Sequence, residues 1–162
     1  MRRLPLIAAA VVLLAGLVGL VRGAQPQHQA KPPAAASPGI VVGGAYVREP
    51  ANGVNAAAYL TVYNTTGAAD QLLGVRTGAG AQASVHVENA SGGMSQAAES
   101  TVPAHGSLAL TPGKGHLMIE QLYGPLKAGQ TVNLDLTFAT AGDVLVTAPV
   151  IGVTAPAPGG SK

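Results

Sequence analysis

The chain has 162 residues, of which 48% are apolar and only 10% charged, and it contains no cysteine. That length suits one domain with room for an export segment and a linker. The missing cysteine excludes disulfides, thiolate metal sites and cysteine nucleophiles, and with them the lipobox cysteine that a lipoprotein acylates. The formal net charge of +2 arises at the N-terminus, where Arg2, Arg3 and Arg22 lie; from Gln25 onward six cationic side chains face seven acidic ones. No basic stripe remains to neutralise phosphates, which argues against a nucleic-acid partner.

Met1-Arg2-Arg3 is followed by uncharged residues from Leu4 to Val21, the layout of a secretory signal, with the small residues Gly23 and Ala24 at the expected cleavage point. The same stretch has about the minimum length for a spanning helix. Residues 1–24 therefore read as a signal peptide or an N-terminal membrane anchor. In either case the positive flank stays inside, and the body lies in the periplasm or on the extracytoplasmic face of the cytoplasmic membrane. Residues 25–39 (QPQHQAKPPAAASPG) have no hydrophobic period and read as a Pro/Ala-rich linker in which His28 is solvated. The body spans residues 40–153, and residues 154–162 read as a flexible tail.

Within the body, short runs of alternating polarity are separated by Gly, Pro, Asn and Asp. Strands are expected at 40–48, 56–64, 71–76, 84–88, 107–110, 116–122, 131–138 and 144–150. The clearest is TVNLDLTF, where Val132, Leu134, Leu136 and Phe138 share one side while Thr131, Asn133, Asp135 and Thr137 share the other. Ala141-Gly142-Asp143 then turns the chain into the last strand. No stretch shows a sustained helical period. About eight short strands at this spacing predict two packed sheets with Greek-key links, and with few aromatics the core must be filled by Val, Leu, Ile and Ala.

Side chains alternate across a strand. In GHLMIEQL, His116, Met118 and Glu120 therefore share one face, and Leu117, Ile119 and Gln121 the other. In SVHVE, Val85 and Val87 point to the core, and Ser84, His86 and Glu88 point outward. Met94 is expected in a glycine-freed loop, Ser91-Gly92-Gly93-Met94. Two imidazoles and two thioethers make a soft, neutral donor set that favours Cu(I) over zinc, and without a thiolate there is no blue-copper centre. Such a site leaves the ion's charge uncompensated, so that a thiolate-bearing partner could take it. A methionine beside core leucines is also ordinary packing, and a lone surface histidine is ordinarily solvated; spacing alone leaves both readings open.

Residues 85–150 resemble the periplasmic copper chaperone family PCu(A)C. Twenty-one residues, 95 to 115, separate Met94 from His116, as in the family, and His116-Leu117-Met118 supplies its His-x-Met pair. Val102-Pro103-Ala104, Leu110-Thr111-Pro112-Gly113 and Pro125-Leu126-Lys127-Ala128-Gly129 match the surrounding text; Ala58-Tyr59-Leu60 and Asn64 fit more loosely. The seven residues between His86 and Met94 are fewer than the family spacing, Gln96 stands where a further methionine often falls, and so does Glu120, here read as solvated. The resemblance implies an all-β, cupredoxin-like Greek-key sandwich binding Cu(I) through His86, Met94, His116 and Met118. It further implies delivery toward the copper centre of a cytochrome c oxidase, with the oxidase subunit or a Sco-like thiol protein as acceptor. His105, in the turn Pro103-Ala104-His105-Gly106, falls outside the family pattern.

Two other classes remain open on the residues: a copper storage or resistance protein, and a structural sandwich domain without a metal. An enzyme is not expected, since there is no Ser/His/Asp arrangement, no paired carboxylates and no phosphate loop.

Overall fold

The computed structural model describes residues 38–158. The expected export or anchor segment 1–24, the linker residues before Pro38 and the last four residues of the expected tail lie outside the described residues.

Ten strands are present: β1 (Ile40–Arg48), β2 (Ala56–Asn64), β3 (Asp70–Thr77), β4 (Gly80–Glu88), β5 (Met94–Ala97), β6 (Ser100–Val102), β7 (Ser107–Leu110), β8 (Gly115–Leu122), β9 (Thr131–Phe138) and β10 (Gly142–Ile151). The described residues contain no helix. The eight expected strands all occur, within a few residues of their expected ends. Two were not expected, β5 and β6, and the reason is physical. Met94–Ala97 is exposed along most of its length, so no buried face imposes an alternation, and Ser100–Val102 has only three residues. Met94, expected in a loop, opens β5 instead.

The strands run in the order β5-β4-β8-β2-β1-β10-β9-β3-β6, with β7 beside the far half of β2. Strands β5, β4, β8, β2 and β1 form one layer and β10, β9, β3 and β6 the other, joined where β1 and β10 pair in parallel at Val47↔Val150. All other pairings are antiparallel. The short link at Gly78-Ala79 carries the chain from one layer to the other. The result is a nearly closed all-β sandwich.

The core lies between the layers and follows the alternation. Leu60 and Val62 of β2, Leu117 and Ile119 of β8, and Leu134 and Leu136 of β9 are fully buried. Aliphatic side chains dominate, and Phe138 is the one aromatic in the core cluster. Burying a Leu or Val side chain contributes about 1.5–3 kcal/mol, so this cluster is the main source of stability. One corner is fastened by polar groups instead. The Asp70 carboxylate accepts hydrogen bonds from the backbone N–H groups of Gln71, Thr140 and Ala141 at 2.8–2.9 Å. Burial pushes this carboxyl up, but the three donors outweigh it and hold it below its ordinary value.

Candidate metal site on an open sheet face

The site is assembled by strand register. β4 pairs with β8 so that His86 lies opposite His116 and Ser84 opposite Met118. The two imidazole rings stack, with centroids 5.1 Å apart and planes 25° from parallel. Leu117 and Ile119 point into the core, so His116 and Met118 share the outer face, as the alternation predicts. β5 pairs with β4 on its other side, placing Gln96 opposite His86 and Met94 opposite Glu88. Met94 thus sits one row along from the histidines, on the edge strand, 43% exposed. Of the four expected donors, the register sets His86, His116 and Met118 next to one another on the same face and brings Met94 to their border.

Local sequence explains this closeness. Gly115 precedes His116, and a Cβ there would stand 2.8 Å from the carbonyl oxygen of His86 and 2.9 Å from a methyl of Leu110. Only glycine lets β8 approach β4 so tightly. Just past the same end of β4, the Asn89 side chain accepts hydrogen bonds from the N–H groups of Ser91 and Gly93, both at 3.0 Å, and Gly92 takes a φ of 78°. This Asx turn closes a tight hairpin, so the short span from His86 to Met94 is an ordered turn and not a slack loop.

On the β2 side, the rings of Tyr59 and His116 have centroids 6.3 Å apart, and Tyr46 packs on Tyr59 at 5.1 Å. A register shift between Gly43 and Tyr46 brings Tyr46 opposite Tyr59, on the outer face instead of in the core. Arg48 lies over the Tyr46 ring and donates to the carbonyls of Gly152, Val153 and Ala155. An aromatic row therefore crosses the sheet from Tyr46 through Tyr59 and His116 to His86. Its neighbour Gln121 departs from expectation. It is exposed, with a φ of 52°, because β8 twists there to let its N–H reach the Asn55 side chain. Leu122 packs against the core in its place.

Where the two histidines meet, the side chains are imidazole and thioether, with the carboxylates of Glu88 and Glu120 in rows beyond. Burial, and secondarily the neighbouring His86, push the His116 imidazole below its ordinary value, which keeps it neutral and able to donate a lone pair. Its Nε2 is buried and has no hydrogen-bond partner, an unmet capacity that a metal ion would satisfy. His86 Nε2 lies 3.1 Å from the Ser84 hydroxyl. Among the described residues no three His, Asp or Glu side chains gather where they could hold a metal ion, so a site here depends on methionine sulfur. The nearest ion pair, Lys114–Glu88 at 3.5 Å, is exposed. His105 is far from this face in the pairing scheme; it sits in a turn with a φ of 51°, its N–H donating to Thr66. The sequence offered no sign of the Ser84 contact. The outward parity of Tyr59 could have placed it on this face, had the register of β2 against β8 been known.

Residues 40–150 match the family model described as "Putative lipoprotein LpqE-like". The chain is 30% identical over 125 residues to "Putative lipoprotein Lxx21020" of Leifsonia xyli subsp. xyli, covering 75% of each protein. Among solved structures it resembles the copper(I) form of DR1885 from Deinococcus radiodurans, with a TM-score of 0.60 and 32% identity over 73% of this chain and 81% of that one. It also resembles the copper-bound PCuAC domain from PmoF2, with a TM-score of 0.62 and 22% identity over 70% of this chain and 92% of that one.

Proposed function

The chain belongs to the LpqE-like family and has the fold of PCuAC domains; on that premise we propose that it carries one copper(I) ion outside the cytoplasm and passes it to an acceptor. The observation that carries this reading is the direct opposition of His86 and His116 with Met118 in the next row of the same face. Soft thioethers beside imidazoles match the preference of Cu(I). His86, His116 and Met118 supply three donors, and Met94, exposed on the edge strand, supplies a fourth.

An open face favours transfer over storage. Met94 is exposed on the edge strand, and an incoming thiolate can approach from that side of the sheet's outer face. Exchange then proceeds one ligand at a time: the acceptor's sulfur displaces Met94 first, then Met118, and the imidazoles last. The copper subunit of cytochrome c oxidase, or a Sco-like thiol protein feeding it, has the ligand chemistry to accept the ion. The lipoprotein names of the family and of the Leifsonia relative agree with an exported, membrane-associated protein. These 162 residues contain no cysteine to acylate, so here the apolar stretch from Leu4 to Val21 would serve as the export signal or the anchor.

Titration of the reduced protein with copper(I) against a chelating competitor tests this reading. One equivalent should bind, and replacing His116 and Met118 together by alanine should weaken binding by at least roughly 100-fold, since even supporting residues around a metal site cost about 10–100-fold. No stoichiometric uptake, or uptake indifferent to the double substitution, would refute it.

A further inference from the structure

We propose that the Ser84 hydroxyl competes with the copper ion for His86, acting as a built-in stand-in that lowers the protein's affinity and eases release. The inference rests on the carrier reading above and assigns a role to a residue that is not itself a donor.

Two observations place Ser84. It lies two residues before His86 on the same face of β4, and its Oγ is 3.1 Å from His86 Nε2. It is also the cross-strand partner of Met118. The His86 ring therefore leans along β4 toward the Met118 row and away from the row of Glu88 and Met94. An ion shared by His86 Nε2 and the Met118 sulfur would occupy the same region of the face as the serine hydroxyl. Whichever atom holds the proton, Nε2 is engaged: either its lone pair accepts from the hydroxyl or its N–H donates to it. In both tautomers binding through Nε2 must first break this bond.

The contrast with His116 supports the assignment. Its Nε2 is buried without a partner, so nothing within the protein has to be given up when it binds. Of the two opposed Nε2 atoms, one is without a partner and one is held. A carrier benefits from that asymmetry. As copper departs, the hydroxyl recaptures His86, so the imidazole is never left unpaired during the exchange. The cost appears as weaker resting affinity, by the free energy of one hydrogen bond.

The test compares the wild type with Ser84→Ala and Ser84→Thr, the latter retaining the hydroxyl. Copper(I) affinity is measured by competition at fixed pH, release by transfer to an excess of chelator, and the His86 ring nitrogens by nitrogen-15 NMR of the copper-free protein. Ser84→Ala should bind copper about 2- to 10-fold more tightly, the equilibrium equivalent of one net hydrogen bond, and release it correspondingly more slowly. Its His86 nitrogen shifts should move in the copper-free state, while Ser84→Thr stays near wild type in all three measurements. Unchanged or weaker binding in Ser84→Ala would overturn the proposal, weaker binding meaning that the hydroxyl orients His86 for a metal held through Nδ1. If the wild type takes up no copper at all, the carrier reading falls and this inference falls with it. If the wild type binds but Ser84→Ala does not tighten, only the competition by Ser84 is lost.

Discussion

The outer faces of the two layers are built on the same core alternation but spend their polar groups differently. On the β3–β9–β10 face, polar side chains satisfy one another across the strands. Arg76 reaches Asp135 at 3.1 Å and Asp143 at 3.5 Å, Thr137 donates to Asp143, and Thr147 to Asn133. On the β4–β8–β2 face the polar pairs are fewer, Ser84 with His86 and Lys114 with Glu88. Aromatic rings occupy the centre of it, and His116 Nε2 and Tyr46 Oη are buried without partners. Ser100 Oγ, in β6, is the remaining side-chain atom of that kind among the described residues. A face that satisfies its own polar groups has nothing left to offer a ligand. A face that leaves lone pairs unmet carries a free-energy cost that a bound ion can offset.

This contrast can be broken most severely at Gly115. Replacing it by alanine puts a Cβ against the His86 carbonyl, forcing β8 away from β4. Overpacking of this kind costs about 1–3 kcal/mol, and here it also separates the two histidines. Gly115→Ala should lower the unfolding midpoint in denaturant and weaken copper(I) binding together, whereas a purely structural defect would leave the affinity of the folded fraction intact.

A smaller effect is expected from pH. The His116 imidazole is held below its ordinary value by burial and by His86, so the unfolded chain binds this proton more readily than the folded one. The sign follows from linkage. Above the ordinary histidine value of about 6.5 there is no penalty, and as pH falls below it the copper-free fold loses stability until His116 itself titrates. Denaturant melts from pH 7.5 to 5 should show this loss, and His116→Gln should flatten it. The same depression means that protons compete poorly for His116, so copper should be retained to lower pH than an ordinary histidine site would allow.

The smallest effect belongs to the other face. Arg76 is exposed and its ion pairs are screened by water, so Arg76→Ala should leave the unfolding midpoint in denaturant close to that of the wild type and leave copper binding unchanged. A clear loss of affinity in that variant would show that the two faces are not independent.

How much of this was legible in the sequence depended on burial. Thr131–Phe138 could be read residue by residue because its one buried face imposes strict alternation. The shared outward face of His116 and Met118 was readable on the same grounds. β5 was not, since Met94-Ser95-Gln96-Ala97 is mostly exposed and no buried face shapes its pattern. Nor was the shift at Gly43–Tyr46 that moves Tyr46 out of the core, because a bulge changes parity without changing composition. The opposition of His86 to His116 lies further still from sequence: strand alternation gives the face of each residue, but only the pairing register gives its neighbour. The resemblance to copper chaperones supplied four candidate donors and not their arrangement, and the hydrogen bond between Ser84 and His86 had no signature at all in a run of alternating polar residues.

X-ray absorption of the copper(I)-loaded protein reads directly whether soft sulfur and imidazole from separate strands meet on one ion. The expected spectrum shows imidazole nitrogen and thioether sulfur together around copper, with sulfur at about 2.3 Å as in other metal–sulfur bonds, and loses its sulfur scattering when Met118 and Met94 are both replaced. A shell of nitrogen and oxygen alone, with no sulfur in the native protein, would contradict it.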